Sequence, residues 1–453
     1  MEKICILGGG LSGLIAALEC IKYGYKDLII IEGNENLGGL MRTKVIDGFT
    51  FDIGGSHIIF SRKQHLLEIL LRYAGRTVQH KRDARIFFRG KYIKFPFENG
   101  MYLLSPEIRY RIISEYIRRY IQRLKNEVEK PKNFKEWLYY WFGNGLTEIY
   151  LEPYNKKIWK IALEKIGINW VKGRVPDPPV EDLLKSAVGI PTEGYKHQLN
   201  FYYPLEGGIE TIIRNLKDEI RKLGAKIFTN YPVDRIKYED NKFIVRSRNK
   251  EILCDIIINT IPIIDFIRIF SETPTELKKK TEKFYWTSVL TVGLAVRGER
   301  ILDHHWVYFP QKEIIFHRIA ILSNYSPKMA PNGHSIILAE ITLPKGSLRN
   351  SMRSMVSRVV EDLARLKIIK KDDVIFIKTW YNRYGYPVEH LSYCTDIVSI
   401  MKFLAQYRVI SVGRWGEWKY LNMDAIIDSV SNKVRDYLRR ITKEKPKKSK
   451  CSA

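Results

Sequence analysis

Three glycines near the start of the chain have the spacing of a phosphate-binding turn. Gly8, Gly10 and Gly13 follow the pattern G-x-G-x-x-G between an apolar run and a stretch with helical apolar spacing. Glycine there permits a tight turn, close approach of backbone N–H groups to a pyrophosphate, and close packing of helix on strand. A second apolar run ends at Glu32, whose carboxylate can accept hydrogen bonds from ribose hydroxyls. The segment therefore predicts a βαβ unit that binds a dinucleotide.

The rest of the chain must supply the other elements of a larger protein. Its 453 residues exceed what one hydrophobic core usually serves. Helical and aromatic patterns dominate the first half, and strand-like alternation returns in the second. We predict an α/β protein with a discontinuous Rossmann-like nucleotide-binding domain, a helical insertion and an antiparallel-sheet substrate domain. The expected ranges are 1–63, 200–265 and 400–440 for the nucleotide-binding domain, 64–199 for the mainly helical region, 266–399 for the sheet domain, and 441–453 for a basic tail.

Composition narrows the function classes. The formal net charge is +26, with 76 Lys and Arg residues spread over the whole chain, but no nucleic-acid-binding motif accompanies them. We therefore expect no nucleic-acid partner and interpret most of the charge as a solvated surface, with peripheral contact to an anionic membrane left open. Five scattered cysteines without a CxxC pair argue against a disulfide framework or a zinc site, so no metal is expected. With no signal peptide or membrane span recognisable, the expected location is cytoplasmic.

The segments after Glu32 indicate which dinucleotide is bound. NENLGGLMRT, with Gly38, Gly39 and Arg42, resembles the GG motif of the amine oxidase and protoporphyrinogen oxidase superfamily, whose members bind FAD. Val233 in YPVDRI is similar to a valine that contacts adenine in that superfamily. VISVGRW and NMDAIIDSV resemble a further FAD contact, in which a helix N-terminus faces the flavin. The resemblance implies cofactor contacts from Gly413, Arg414, Asn422, Met423 and Asp424.

Longer stretches resemble the UDP-galactopyranose mutases over nearly the whole length. FDIGGSHIIFSR is similar to the mutase loop that places a histidine against the flavin, which implies that role for His57, with Gly55 and Ser56 beside the cofactor. FPFENG resembles the segment that holds uracil, although Phe95 and Phe97 are equally explained as core residues. The resemblance implies substrate contacts from Phe95, Phe97, Glu98, Asn155, Trp159, Trp306, Tyr308, Asn324, Tyr386 and Tyr420.

Two arginines connect this resemblance to substrate chemistry. A UDP-sugar presents two adjacent phosphates, which guanidinium groups bind in bidentate fashion. Arg174 in VKGRVPDP and Arg318 in HRIAILSNYSP stand in segments that resemble mutase sequences, and we interpret them as phosphate ligands with a catalytic role. Amines and porphyrinogens carry no pyrophosphate, so this pair would distinguish the mutases from the oxidases of the superfamily. Either arginine alone is also explained as a surface charge.

The mutase resemblance implies a reaction without net redox change. Reduced FAD would attack the anomeric carbon through N5, form a sugar adduct, and release the sugar with the other ring size on return of UDP. Such a protein needs an electron donor such as NAD(P)H to reduce the flavin. The alternative is an FAD-dependent oxidase or desaturase of the amine oxidase or protoporphyrinogen oxidase type, which shares the fold and the GG motif. A non-enzymatic FAD-holding protein would instead expose the side chains of Arg174 and Arg318 to solvent.

Overall fold

The computed structural model describes residues 2–171, 179–194, 199–347 and 352–443. The strands are β1 Ile4–Leu7, β2 Leu28–Ile31, β3 Thr43–Ile46, β4 Phe49–Asp52, β5 Thr77–Lys81, β6 Ala84–Phe88, β7 Lys91–Lys94, β8 Asn200–Pro204, β9 Lys226–Phe228, β10 Arg235–Glu239, β11 Lys242–Ser247, β12 Lys250–Cys254, β13 Ile256–Asn259, β14 Tyr285–Arg297, β15 Trp306–Tyr308, β16 Arg318–Ile321, β17 His334–Leu343, β18 Val374–Val388 and β19 Val409–Ser411. The helices are α1 Leu11–Lys22, α2 Gln64–Ala74, α3 Pro106–Leu124, α4 Phe134–Leu146, α5 Glu152–Trp159, α6 Val180–Ala187, α7 Glu210–Lys222, α8 Ile263–Ile269, α9 Thr275–Glu282, α10 Met352–Arg365, α11 Tyr393–Leu404, α12 Gly413–Gly416 and α13 Met423–Lys443.

The chain divides into two compact units. The first unit comprises residues 1–39, 212–283 and 394–453, and the second comprises residues 40–211 and 284–393. Both units are therefore discontinuous in sequence. The segments expected to be a helical region and a sheet domain fall largely within the second unit.

The first unit is built on a parallel sheet with the strand order β19-β13-β1-β2-β9. Strands β1, β2 and β13 (ICIL, LIII and IIIN) are buried along their whole length, as expected for parallel strands covered on both faces. Helix α1 connects β1 to β2 and packs on α13. An antiparallel three-stranded sheet, β10-β11-β12, belongs to the same unit. This arrangement confirms the predicted Rossmann-like α/β fold.

The second unit is built on a seven-stranded sheet with the order β18-β14-β17-β16-β15-β6-β7. Its strands pair antiparallel except for β15 with β6. Because side chains alternate along a strand, its two faces differ. One face carries Leu290, Ile319 and Ile341 and packs on α10 in a large apolar cluster. The opposite face carries a polar row across the sheet: Tyr308, Arg318, Glu340 and Thr291.

Helices α3 and α4 pack closely in the second unit because glycines of α4 face the α3 backbone. A Cβ at Gly145 would lie 2.8 Å from the Arg111 carbonyl oxygen, and one at Gly143 would lie 2.8 Å from that of Glu115.

The region 64–199, predicted to be mainly helical, contains helices α2 to α6. Strands β5, β6 and β7 interrupt it, and β6 and β7 form one edge of the large sheet. Within the described ranges, no helix combines the length and apolar character needed to cross a bilayer.

A buried carboxylate anchors the end of β4 in the second unit. The Asp52 carboxylate accepts hydrogen bonds from the Tyr203 hydroxyl at 2.7 Å, the Thr43 hydroxyl at 2.9 Å and the Ile209 backbone N–H at 3.2 Å. Burial raises the pKa of Asp52 to about 6, and the three hydrogen bonds oppose this rise. The folded state therefore binds this proton more tightly than the unfolded chain does. As a result, the free energy of unfolding decreases as the pH rises from about 4 to about 6.

We expect the Asp52→Asn variant to lose one component of the pH dependence of stability. A raised pKa in the folded state means that the stabilising contribution is full below about pH 4 and is lost as the pH rises through about 6. The size of this component is about 3 kcal/mol. Urea unfolding of the wild type and of Asp52→Asn gives the difference between their free energies of unfolding at each pH. The change of this difference across the pH range measures the component. The exposed Asp303→Asn serves as the control, and a constant difference for Asp52→Asn would contradict the expectation.

Candidate active site

The glycine turn of the first unit leaves room for a ligand at one position and none at the others. Gly8 has φ +100°, and a Cβ at Gly13 would lie 1.9 Å from the Gly8 carbonyl oxygen, so both positions require glycine. At Gly10, by contrast, the nearest atom to an added Cβ is the Gly39 Cα at 4.0 Å. Helix α1 begins after Gly10 with no side-chain cap and no acidic residue in its first turn within the described chain. Its N-terminal N–H groups and positive dipole end suit an anion such as a pyrophosphate.

Glu32 lies at the end of β2 in an orientation fixed by the same turn. One carboxylate oxygen accepts from the Gly9 N–H at 2.9 Å, and the other accepts from the N–H and the side-chain amide of Asn34 at 2.9 and 2.6 Å. Glu32 is buried, so its charge depends on these donors. A carboxylate oxygen has room for more than one donor, and ribose hydroxyls are suitable additional donors.

Two further predicted cofactor segments lie against this turn. The Gly38 N–H donates to the Gly9 carbonyl at 2.9 Å, which brings the Gly38-Gly39 pair beside Gly10. The Tyr231 N–H donates to the Glu32 carbonyl at 3.0 Å. Val233, which is half-buried, follows Tyr231 by two residues. Segments far apart in sequence are therefore brought together by the first unit.

The last predicted cofactor segment contacts the first turn of α1. Gly413 has φ +83°, and a Cβ there would lie 2.2 Å from the Ser12 hydroxyl oxygen. Arg414 donates to the Leu421 carbonyl at 3.0 Å, and its guanidinium lies 4.6 Å from the centre of the Tyr420 ring. The Asn422 carbonyl accepts from the Ile426 N–H at 2.9 Å, so Asn422 directly precedes the first turn of α13. In that turn, Met423 is buried and Asp424 is half-buried.

These features of the first unit fit a dinucleotide cofactor. The space at Gly10, the uncapped N-terminus of α1 and the buried Glu32 supply a place for the pyrophosphate and one ribose. Arg42 belongs to the second unit, where its carbonyl accepts from the Ile53 N–H at 3.0 Å.

In the second unit, a glycine loop carries the candidate flavin-facing histidine. A Cβ at Gly54 would lie 1.9 Å from the Leu40 carbonyl oxygen, and Gly55 has φ +101°. The Ser56 N–H and hydroxyl both donate to Glu340 Oε1, at 3.0 and 3.2 Å. The His57 Nδ1 lies 2.8 Å from the Gly55 carbonyl oxygen, so Nδ1 carries a proton and donates to that oxygen. The loop conformation therefore depends on Glu340.

Glu340 also holds Arg318. The Arg318 Nη2 lies 2.7 Å from each Glu340 oxygen and the Nε lies 3.1 Å from Oε1. Burial opposes the charge of Glu340, yet the positive charge of Arg318 and the hydrogen bonds from Arg318 and Ser56 bring the pKa of Glu340 below its ordinary value. Burial likewise opposes the charge of Arg318, but Glu340 keeps the pKa of Arg318 above its usual range. The pair is thus ionised, and it fixes the direction of the guanidinium.

Tyrosine side chains surround the Arg318 guanidinium. Tyr308 lies directly opposite Arg318 in the sheet, and the Tyr154 ring centre is 5.5 Å from that of Tyr308. Tyr386 interacts electrostatically with both Arg318 and Tyr154, and its ring lies 6.3 Å from that of Trp159. Burial raises the pKa of Tyr154 well above its ordinary value, so its hydroxyl keeps the proton. Protonated hydroxyls next to a guanidinium are donors suited to phosphate oxygens.

Two lysines add positive charge near this cluster. The Lys157 ammonium donates to the carbonyls of Phe309 and Gln311, both at 2.8 Å, and burial lowers the pKa of Lys157 to about 7. Burial also lowers the pKa of Lys160. His317 stays neutral because burial lowers its pKa to about 3. Lys157 also interacts electrostatically with the carboxylates of Asp362 and Glu313, which oppose the lowering of its pKa.

An arginine that the sequence did not single out lies between two predicted substrate residues. The Arg82 guanidinium is 5.1 Å from the centre of the Phe95 ring and 6.0 Å from that of Trp306. Phe95 in turn lies 5.0 Å from Tyr308. The buried Trp306 Nε1 has no hydrogen-bond partner among the residues that the structure describes. An aromatic ring, a guanidinium and an available N–H can together bind a planar polar group.

Several predicted substrate residues make contacts within the protein. Phe97 is fully buried and stacks on Tyr150 at 4.7 Å, in agreement with its interpretation as a core residue. Glu98 is also buried. Asn155 joins the Leu151 carbonyl to the Trp159 indole, and Asn324 donates to two loop carbonyls. Arg174 lies outside the described residues, and Tyr420 belongs to the first unit.

The sequence contained weak signals for the residues that were missed. Glu340 is the one acidic residue in the apolar strand HSIILAEITL, and such a residue usually has a buried partner. Tyr154 follows Tyr150 by one helical turn, and their rings stack at 5.6 Å. Nothing in the sequence around Arg82 indicated its position between Phe95 and Trp306.

Known proteins resemble this chain along most of its length. A crystal structure of reduced UDP-galactopyranose mutase matches with a TM-score of 0.88 and 23% identity, covering 99% of this chain and 97% of that one. An uncharacterised protein of Methanocaldococcus jannaschii is 24% identical over 88% of this chain and 91% of its own length. A carotenoid 3,4-desaturase of Haloarcula japonica is 21% identical over 83% of this chain and 84% of its own length.

A family model decides the classification. The model for flavin containing amine oxidoreductases matches residues 11–395, which include α1, the GG segment and the seven-stranded sheet. The match thus covers elements of both units, including Gly13 and the strand that carries Arg318, whereas Gly8 and Gly10 precede it. The chain belongs to the flavin containing amine oxidoreductase family.

Proposed function

We propose that the protein is an FAD-dependent mutase that interconverts UDP-galactopyranose and UDP-galactofuranose, or the two ring forms of a close nucleotide sugar. The observation that carries the proposal is the orientation of Arg318. Its Nε and Nη2 are held by Glu340, and no hydrogen bond from Nη1 is found within the described residues. The two N–H groups of Nη1 and the surrounding tyrosine hydroxyls provide donors for a pyrophosphate.

The hydrogen-bond donors of this cluster favour an anionic substrate. Glu340 pairs with Arg318 but leaves the Nη1 N–H groups of Arg318 and the tyrosine hydroxyls as donors. A cationic amine offers no acceptor to these donors, and an apolar chain would leave them without hydrogen bonds. A diphosphate supplies acceptor oxygens for them.

The family is flavin-containing, which implies FAD, and the first unit fits a dinucleotide. In its reduced form, maintained by a donor such as NAD(P)H, FAD would supply the nucleophile for the anomeric carbon. Arg318, Tyr308 and Tyr386 would hold the diphosphate while its bond to the sugar is broken, and would stabilise its charge as a leaving group. The Ser56 contacts with Glu340 would keep the histidine loop in place.

A second candidate function is supported by the sequence relatives. The Haloarcula japonica protein, similar over most of both chains, is a carotenoid 3,4-desaturase. If this chain has a related activity, oxidised FAD would accept hydride from an apolar substrate. The aromatic residues Phe95, Tyr154 and Trp306 are compatible with such a substrate, whereas the buried cations are not.

An anaerobic assay separates the two candidates. Protein reduced with dithionite is incubated with UDP-galactofuranose, and the mixture is chromatographed for UDP-galactopyranose. Product formed with reduced protein and not with oxidised protein supports the mutase. Absence of product, together with no change of the flavin spectrum on addition of UDP, contradicts it and favours the oxidase or desaturase.

We expect Arg318→Lys to lower kcat/KM at least about tenfold, since lysine keeps the charge but loses the planar guanidinium that Glu340 orients. The exposed Arg297→Ala on the same sheet is the matched control. The assay is the anaerobic conversion, with thermal unfolding measured on both variants. If Arg318→Lys is folded and retains full activity, Arg318 does not bind the diphosphate.

A further inference from the structure

Helix α3 of the second unit has one face packed in the protein and one face that is unusually apolar for an exposed surface. On the inner face, Ile112 and Tyr116 are buried, and the Arg123 guanidinium lies 4.3 Å from the centre of the Trp141 ring in α4. The outward face of such a helix is ordinarily polar, because a surface helix presents a hydrophilic side to water.

The outward positions instead carry large apolar side chains. Tyr110 is 73% exposed, Ile117 37%, Ile121 45% and Leu124 66%. These residues follow each other at helical spacings of seven, four and three, so they form one continuous stripe along the helix. An apolar stripe of this length on an exposed helix indicates contact with a partner that has an apolar interior.

Basic side chains form a second row directly beside this stripe. Arg111, Arg118 and Lys125 are exposed and are also seven residues apart. Arg111 and Arg118 reach Glu148 and Glu115 at 2.5 and 2.6 Å, but these pairs are exposed and therefore weak. Residues 106–126 contain six Lys and Arg and only two Glu, so the net charge along this helix is strongly positive. We refer to Tyr110, Ile117, Ile121 and Leu124 with Arg111, Arg118 and Lys125 as the α3 outer face.

More exposed apolar side chains follow on the neighbouring helix. Arg109 of α3 donates to the Ala187 carbonyl at the end of α6, at 3.2 Å. Just beyond this contact, Val188 and Ile190 have exposed side chains. The apolar surface therefore continues from α3 to the segment after α6.

We propose that the α3 outer face is a docking surface for an anionic lipid bilayer. Tyrosine, isoleucine and leucine side chains can enter the boundary between headgroups and acyl chains, while arginine and lysine extend to the lipid phosphates. Charge complementarity selects this partner over a second copy of the chain. Two α3 outer faces in contact would place Arg111, Arg118 and Lys125 of both copies together, with no acidic row on this face to neutralise them. The proposal does not depend on the reaction that the protein catalyses.

Vesicle sedimentation tests the proposal on the full-length protein. Vesicles of equal parts phosphatidylglycerol and phosphatidylcholine are compared with vesicles of phosphatidylcholine alone. We expect binding to the anionic vesicles that decreases with added salt, because the electrostatic contribution is screened. The variant with Ile117→Ser, Ile121→Ser and Leu124→Ser is expected to bind at least about tenfold more weakly. The variant with Arg118→Gln and Lys125→Gln is also expected to bind about tenfold more weakly.

Two control variants distinguish this surface from other sources of binding. Val45→Ser, Ile375→Ser and Leu391→Ser remove exposed apolar residues elsewhere in the same unit, and binding should not change. Lys447→Gln, Lys448→Gln and Lys450→Gln remove charge from the basic tail. Thermal unfolding of every variant shows whether it is folded.

Three outcomes would overturn the proposal. The first is equal binding of the triple α3 variant and the wild type to anionic vesicles. The second is loss of all binding in the tail variant with no loss in either α3 variant. The third is light scattering that shows a dimer which the triple α3 variant converts to monomer, without any vesicle binding by the wild type.

Discussion

Replacing Glu340 by glutamine is expected to lower the free energy of unfolding by about 3 kcal/mol or more, which is the usual cost of breaking a buried ion pair. The Glu340 carboxylate is almost fully buried and is the acceptor for both Arg318 and Ser56. Glutamine keeps the shape but removes the charge, so the half-buried Arg318 loses its counterion. The second unit then contains a largely desolvated guanidinium without its counterion.

Chemical denaturation of Glu340→Gln and of the exposed Glu313→Gln measures this effect. A second comparison identifies its cause. In the double variant Arg318→Met, Glu340→Gln, both charges are absent, and stability should recover most of what the single variant lost. If Glu340→Gln is as stable as Glu313→Gln, or if the double variant is less stable than the single variant, the ion pair does not have the assigned role.

The activity of the single variant separates a positioning role of Glu340 from a merely structural one. Glu340 fixes the Arg318 guanidinium and the Ser56 backbone without belonging to the groups proposed to touch the substrate. Glu340→Gln should therefore have a lower kcat/KM in the anaerobic assay even at a temperature at which the variant is fully folded. If Glu340 were needed for folding alone, the folded variant would keep the activity of the wild type.

The first unit could be predicted from the sequence because its essential residues are close together in the chain. Gly8, Gly10, Gly13 and Glu32 fall in one βαβ unit, and the physical reason for each glycine is local. The Gly13 position is required by contact with Gly8, five residues earlier. Local turns and strand-to-helix transitions are the features for which sequence patterns carry the most information.

The second unit could be predicted only in outline because strand register decides its chemistry. Arg318 lies beside Glu340 and Tyr308 through pairing of β15, β16 and β17, and one residue of slip would turn Arg318 to the apolar face. The sequence identified Arg318 but not the counterion that orients it. Likewise, nothing local showed that β6 would join the sheet and bring Arg82 between Phe95 and Trp306. Long-range pairing thus places β6 and β7 in the large sheet, within a region that otherwise contains helices α2 to α6.

Two glycine variants of the first unit should fail in different ways. In Gly13→Ala, the added Cβ would lie 1.9 Å from the Gly8 carbonyl oxygen, so α1 must move away from β1. We expect a loss of several kcal/mol in the free energy of unfolding, at the upper end of about 1–3 kcal/mol for overpacking or beyond it, because the clash is with backbone. In Gly10→Ala, φ is −78° and no described atom lies closer than 4.0 Å to the added Cβ. The apoprotein should therefore tolerate Gly10→Ala with a change below about 1 kcal/mol.

Flavin content then distinguishes the cofactor site from the fold. If the pyrophosphate of FAD lies over the glycine turn, a methyl group at Gly10 occupies its space, and Gly10→Ala should fold as well as the wild type but be purified without the yellow flavin absorbance. Addition of FAD to the apoproteins and measurement of flavin fluorescence quenching gives the affinity of each one. Full flavin content in Gly10→Ala would place the pyrophosphate elsewhere, whereas loss of both flavin and stability in Gly10→Ala would mean that the turn has no free space. Because Gly13→Ala should lose stability and Gly10→Ala should not, loss of flavin from a stable Gly10→Ala protein shows that the space in front of Gly10 is occupied by the ligand.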